Sequence, residues 1–118
     1  MNPALGLAAA RVVIGGVALA APEQGARLFR LDPVTNPQLT YVTRLFGARE
    51  IMLGAAALVA RGRARQALVM AGVAVDVADS AAGWLAGEDG TVDRTTSYLL
   101  TAPAVAAALA GLAGVRRA

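Results

Sequence analysis

The chain has 118 residues, enough for one domain. Apolar types make up 57% of it and charged types only 16%, which excludes a disordered chain and lies outside the usual soluble balance. Cysteine and histidine are absent, so disulfides, common zinc sites, Ser-His-Asp triads and thiol nucleophiles are excluded.

All eleven basic residues are arginine, and 29 residues are alanine. That usage points to a GC-rich bacterial genome. The first segment, Ala4 to Ala21, carries a single charge, Arg11. A cleaved signal peptide needs a basic start and an uncharged centre, and this segment has neither. Pro22 and Pro33 then bound a stretch containing Arg27-Leu28-Phe29-Arg30-Leu31. It reads as a short interfacial helix, an ordered loop or a plain connector.

Asn36-Pro37 opens a second helix that holds Arg44, Arg49 and Glu50. Arg61-Gly62-Arg63-Ala64-Arg65 reads as a tight basic turn. A third helix carries Asp76 and Asp79, and Glu88-Asp89-Gly90 stops it. A fourth holds twenty-one uncharged residues, Thr95 to Val115, with a kink expected at Pro103. Nothing alternates with the period of a strand. The expected class is all-α, a four-helix antiparallel transmembrane bundle, with helices near 4–21, 36–60, 66–87 and 93–115 of a single domain, 1–118.

A spanning helix needs about 20 mostly apolar residues. The first and last segments meet that cleanly, and the middle two do so only if their charges are sheltered. A soluble bundle of alanine-rich helices is the alternative. Against it, the last helix has no polar face to meet water. Glycines support the membrane reading, because small residues let helices approach closely in lipid. Thr43, Gly47, Glu50, Gly54 and Ala57 share one face, as do Gly72, Asp76, Asp79 and Gly83. Arginine counts favour both termini and the 61–65 turn in the cytoplasm of a bacterial cytoplasmic membrane. Five arginines lie on that side and three on the other.

Six ionisable residues then fall at membrane depth: Arg11, Arg44, Arg49, Glu50, Asp76 and Asp79. Isolated charges there are costly, so pairing or a wet cavity is expected. A turn centred on Arg63 brings Glu50 and Asp76 to one level, with Arg49 near both aspartates and Arg11 in reach. The candidate catalytic residues are Asp76, Asp79 and Glu50, and the candidate binding residues are Arg49, Arg11 and Arg44. Asp76-x-x-Asp79 is similar to the magnesium-holding motifs of intramembrane prenyltransferases, but the second such motif is missing. No metal and no cofactor is therefore expected. Nucleic acid is not expected as a partner, because the arginines are scattered among acids rather than forming a stripe.

Arg44-Leu45-Phe46-Gly47-Ala48-Arg49-Glu50-x-x-Leu53-Gly54, the arginine-rich turn and Gly72-x-x-x-Asp76-x-x-Asp79 together resemble a family of small bacterial four-helix membrane proteins catalogued as a domain of unknown function. The resemblance implies a membrane location and a four-helix fold, and it implies no reaction.

Three functions fit this sequence. One is binding or acid–base conversion of a lipophilic small molecule at the carboxylate–arginine layer, with a pocket of about 300 Å³ beside Asp76. Another is a homo-oligomeric transporter or proton-conducting subunit. The last is a structural or accessory protein, surrounded by membrane lipid, whose charges only set the packing.

Overall fold

Proline and glycine set the breaks between helices. In the computed structural model, which describes residues 2–117, helix α1 (Pro3–Ala20) is followed by the short α2 (Pro22–Leu28). Then come α3 (Gln38–Val59), α4 (Gly62–Glu88) and α5 (Arg94–Gly114), with a 3₁₀ turn at Val115–Arg117. The described residues are all-helical, with five α-helices where four were expected. The addition is α2. Pro22 occupies its first turn, where a missing N–H costs nothing.

Asn2 starts α1. Its side chain accepts from the Ala4 N–H and donates to the Gly114 carbonyl, so one residue caps α1 and ties it to the end of α5. Helix α2 ends in a Schellman pairing, with Leu31 N–H to Ala26 O and Arg30 N–H to Arg27 O. That pairing places Arg30 at φ 63°, a left-handed conformation usually left to glycine.

The basic stretch 61–65 is not the turn its composition implied. Helix α4 already begins at Gly62, because arginine is a good helix former and Gly62, at φ 60°, absorbs the reversal. Arg65 then donates to the carbonyls of Ala57 and Leu58, both at 2.9 Å, satisfying groups that the end of α3 leaves open. Helix α5 continues through Pro103 as one element.

Helix α1 packs chiefly on α3, and α4 on α5. The two pairs meet along α3–α4 and α1–α5. The α1–α3 seam follows from residue spacing. Its buried positions are Ala4, Ala8, Arg11, Gly15 and Ala18 on one helix and Gly47, Glu50, Gly54 and Ala57 on the other. Steps of three and four alternate, as in an antiparallel coiled coil. The approach is close. A Cβ on Gly15 would lie 2.5 Å from Gly47 O and 2.9 Å from Ile51 N. In the α4–α5 pair, Val73 meets Gly111, Gly83 meets Thr101 and Gly87 meets Ser97. Each step up one helix matches an equal step down the other, the mark of antiparallel packing.

Size is distributed inside out. The buried apolar residues are Ala4, Ala8, Ala18, Ala26, Ala57 and Ala108 with Val69 and Val73. Val13, Ile14, Met52, Leu109 and Leu112 face outward. A water-soluble domain buries its large apolar side chains. Among the described residues three helices, α1, α4 and α5 with its 3₁₀ turn, are long and apolar enough to cross a membrane.

Candidate functional site

The charges inside the bundle come from the same seams that pack it. Arg11 sits between Ala8 and Gly15 on the buried stripe of α1, so its side chain has no route to solvent. It projects instead towards Glu50 of α3 and Asp76 of α4, both buried. One guanidinium nitrogen, Nη1, donates to both Glu50 oxygens at 3.1 and 2.9 Å. The other, Nη2, donates to Asp76 Oδ2 and, at 3.3 Å, to the carbonyl of Gly72. A Cβ on Gly72 would lie 3.1 Å from Nη2, so glycine there leaves room for the guanidinium. Three helices are thereby joined by one planar fork, the geometry in which arginine is strongest.

Arg49 and Asp79 form a second pair on the flank. Arg49 Nη2 lies 2.6 Å from Asp79 Oδ2, and Nη1 lies 3.3 Å from Oδ1. The side chains are 38% and 32% exposed, against 7% for Arg11 and 3% for Asp76. The Arg49 guanidinium also stacks 5.2 Å from the Phe46 ring centroid, and its buried Nε has no hydrogen-bond partner among the described residues.

Five of the six expected residues therefore lie in one layer. Arg44 does not join it and is exposed on α3. Its position falls off the stripe that carries Gly47 and Glu50, so the helix turns it outward. The spacing placed Arg49 near both aspartates; in the structure each aspartate has a different arginine, Asp76 with Arg11 and Asp79 with Arg49. Neighbours in sequence, Arg49 and Glu50 point about 100° apart on a helix, and only Glu50 faces α1. The Gly72 carbonyl was missed as an acceptor. The signal available was that Gly72 lies one turn from Asp76 on the same stripe.

Between this layer and the 60–61 turn lies a cavity of about 10 Å³, lined by Ala4, Ala8, Arg11, Ala57, Val69 and Gly72. It has room for about one water molecule. Among the described residues no three acids converge as a metal ion requires; Arg11 and Arg49 stand between them.

At the other end of the bundle, aromatic and charged residues gather outside the layer. Trp84 and Tyr98 lie with ring centroids 6.3 Å apart, and the Arg94 guanidinium sits 5.3 Å from the Trp84 ring. Arg94 pairs with Glu88, and Arg30 pairs with Asp93, each at 3.3 Å. Asp93 also caps α5, accepting from the Thr96 N–H at 2.7 Å. That bond holds its carboxyl below the ordinary carboxylate range.

No curated protein and no solved structure matches the chain. The model of one family does match, over residues 8–112, a stretch that contains every residue of the charge layer. The chain belongs to that family, described as Domain of unknown function (DUF4267).

Proposed function

We propose that the protein is a multi-pass accessory protein of the bacterial cytoplasmic membrane. Helices α1, α3, α4 and α5 would span as a four-helix antiparallel bundle, and the Arg11–Glu50–Asp76 cluster would lock them in register. The inside-out distribution of size supports the membrane placement. Trp84 and Tyr98 fit an aromatic belt at one surface, and Arg61, Arg63, Arg65, Arg116 and Arg117 fit the positive-inside rule at the other. Both termini then face the cytoplasm. Of the four, α3 is the one not apolar enough along its length to cross unaided, and its Glu50 would enter the membrane region paired with Arg11.

The observation that carries the accessory role is the pairing itself. The Arg11 guanidinium bonds both buried acids, and the cavity beside it, about 10 Å³, has room for about one water molecule. The test is a simultaneous exchange of the cluster for apolar residues, Arg11→Met with Glu50→Leu and Asp76→Leu. Buried ion triads replaced in this way often keep or gain stability. A locking role predicts that each single exchange lowers accumulation and melting temperature, while the triple variant recovers both. Wild-type-like melting of the single variants would overturn it.

A second reading is engagement or acid–base conversion of a lipophilic molecule. It draws on the half-open Arg49–Asp79 pair and on a layer in which three carboxylates face two guanidiniums. A thermal-shift screen with lipophilic compounds tests it. Stabilisation that disappears in Asp79→Asn would favour this reading over the accessory one.

A further inference from the structure

Helix α3 carries two stripes of heptad spacing. The inner one, Gly47, Glu50, Gly54 and Ala57, is used up against α1. The outer one contains Val42, Leu45, Arg49, Met52, Ala56 and Val59. It repeats the same alternation of three and four. Val42, Leu45, Met52 and Val59 on it are all more than half exposed. Arg49 sits midway along this outer stripe, and with Asp79 of α4 it forms an ion pair that is one-third open to the outside.

Apolar side chains on such a face suit lipid; an open ion pair at mid-depth does not, because hydrocarbon offers no hydrogen bonds to the oxygens and N–H groups left over. The face is also self-complementary, with one basic and one acidic group side by side. Next to Asp79, Ala78 and Ala82 are small and exposed, so a neighbouring helix can approach closely.

We propose that a second copy of this chain covers the α3–α4 face. Resting on the membrane placement given above, the arrangement is a two-fold dimer with its axis along the membrane normal. Helix α3 lies beside α3 of the other copy along the outer stripe. Each Arg49 then reaches the Asp79 carboxylate of both copies, and the pair that is open in one chain is closed in two. Such an interface is isologous, the commonest form of homo-oligomer.

The absence of native cysteine makes the test direct. Single variants Leu45→Cys and Met52→Cys place a thiol on the proposed interface. Val13→Cys and Leu109→Cys place one on other outward faces, where the native residues are 67% and 62% exposed. Membranes are washed with carbonate, and the variants in them are oxidised with copper phenanthroline. Retention after the wash, followed by a product of twice the chain mass at 45 and 52 but not at 13 and 109, is expected. Asp79→Asn in the Met52→Cys background should lower that yield several-fold. Retention without cross-linking, or equal cross-linking at all four positions, overturns the dimer and leaves the membrane placement standing. A product of any other mass also overturns it, because the occupant is then a different protein. Release of the chain by carbonate overturns the placement, and the dimer with it.

Discussion

Glu50 and Asp76 come from different helices, yet they are held by opposite nitrogens of the same guanidinium, that of Arg11. Removing that guanidinium is therefore worse than removing either acid. Arg11→Met leaves two carboxylates facing each other in a buried site, whereas Glu50→Gln leaves Arg11 with Asp76. Breaking a buried pair costs about 3–5 kcal/mol, and Arg11→Met should reach or exceed that range. The order expected, by melting temperature in detergent, is wild type, then Glu50→Gln, then Arg11→Met.

The two aspartates separate by the same logic. Asp76 is buried and Asp79 is one-third exposed. Asp76→Asn should lower accumulation in the membrane sharply. Asp79→Asn should leave a folded protein with a smaller loss of melting temperature. Equal losses in the two variants would contradict the different burial of the two pairs.

Adjacent glycines give a controlled comparison of packing. Gly15 lies against backbone atoms of α3, while a Cβ on Gly16 would meet nothing within 4 Å. Gly15→Ala forces the helices apart and should cost about 1–3 kcal/mol, the usual range for overpacking. Gly16→Ala should be neutral or stabilising by up to about 1 kcal/mol, the helix-propensity difference. Denaturation of both variants in the same detergent measures the contrast.

Arg30 holds a left-handed backbone conformation at the end of α2. Its exposed bridge to Asp93 returns little. Arg30→Gly should remove a conformational cost of about 1–2 kcal/mol and raise the melting temperature. A lower melting temperature would mean that the bridge outweighs the strain.

Asp93 supplies the pH dependence. Its carboxyl is held low chiefly by the Thr96 N–H, so the charged form is favoured in the folded state. The cap's contribution is complete above the ordinary aspartate value of 3.8. It is lost as pH falls through the lower folded value. The Thr96 amide resonance should shift over that acidic window as the start of α5 frays. In Asp93→Asn, whose side chain caps without titrating, the shift should disappear.

Much of this arrangement was legible from spacing. The stripe of Thr43, Gly47, Glu50, Gly54 and Ala57 is visible as a helical face, and so is that of Gly72, Asp76, Asp79 and Gly83. Both did become packing surfaces, except that Thr43 and Asp79 stay partly exposed at their edges. The turn between them was harder to read. Arginines at 61–65 look like a loop by charge, but helix propensity and the Arg65 bonds to the end of α3 pull them into α4. Partner choice was not legible either. Whether Arg11 or Arg49 meets Asp76 depends on how α1 leans against α4, which no single helical face specifies. Arg44 was placed by depth alone, and depth does not say which way a side chain points.

The threading of the charge layer constrains how the protein is made. Arg11 leaves the ribosome before both acids that hold it, and Asp76 follows only after α3 is complete. In the proposed membrane placement, α1 therefore enters with an unneutralised guanidinium, against a penalty of about 2.5–3.5 kcal/mol on insertion scales. Its commitment to the bilayer waits on synthesis of α3, whose Glu50 is the first acid to reach Arg11. Chains cut before α3 should slip back out of the membrane, and the dependence of α1 insertion on later sequence becomes a quality check built into the order of translation.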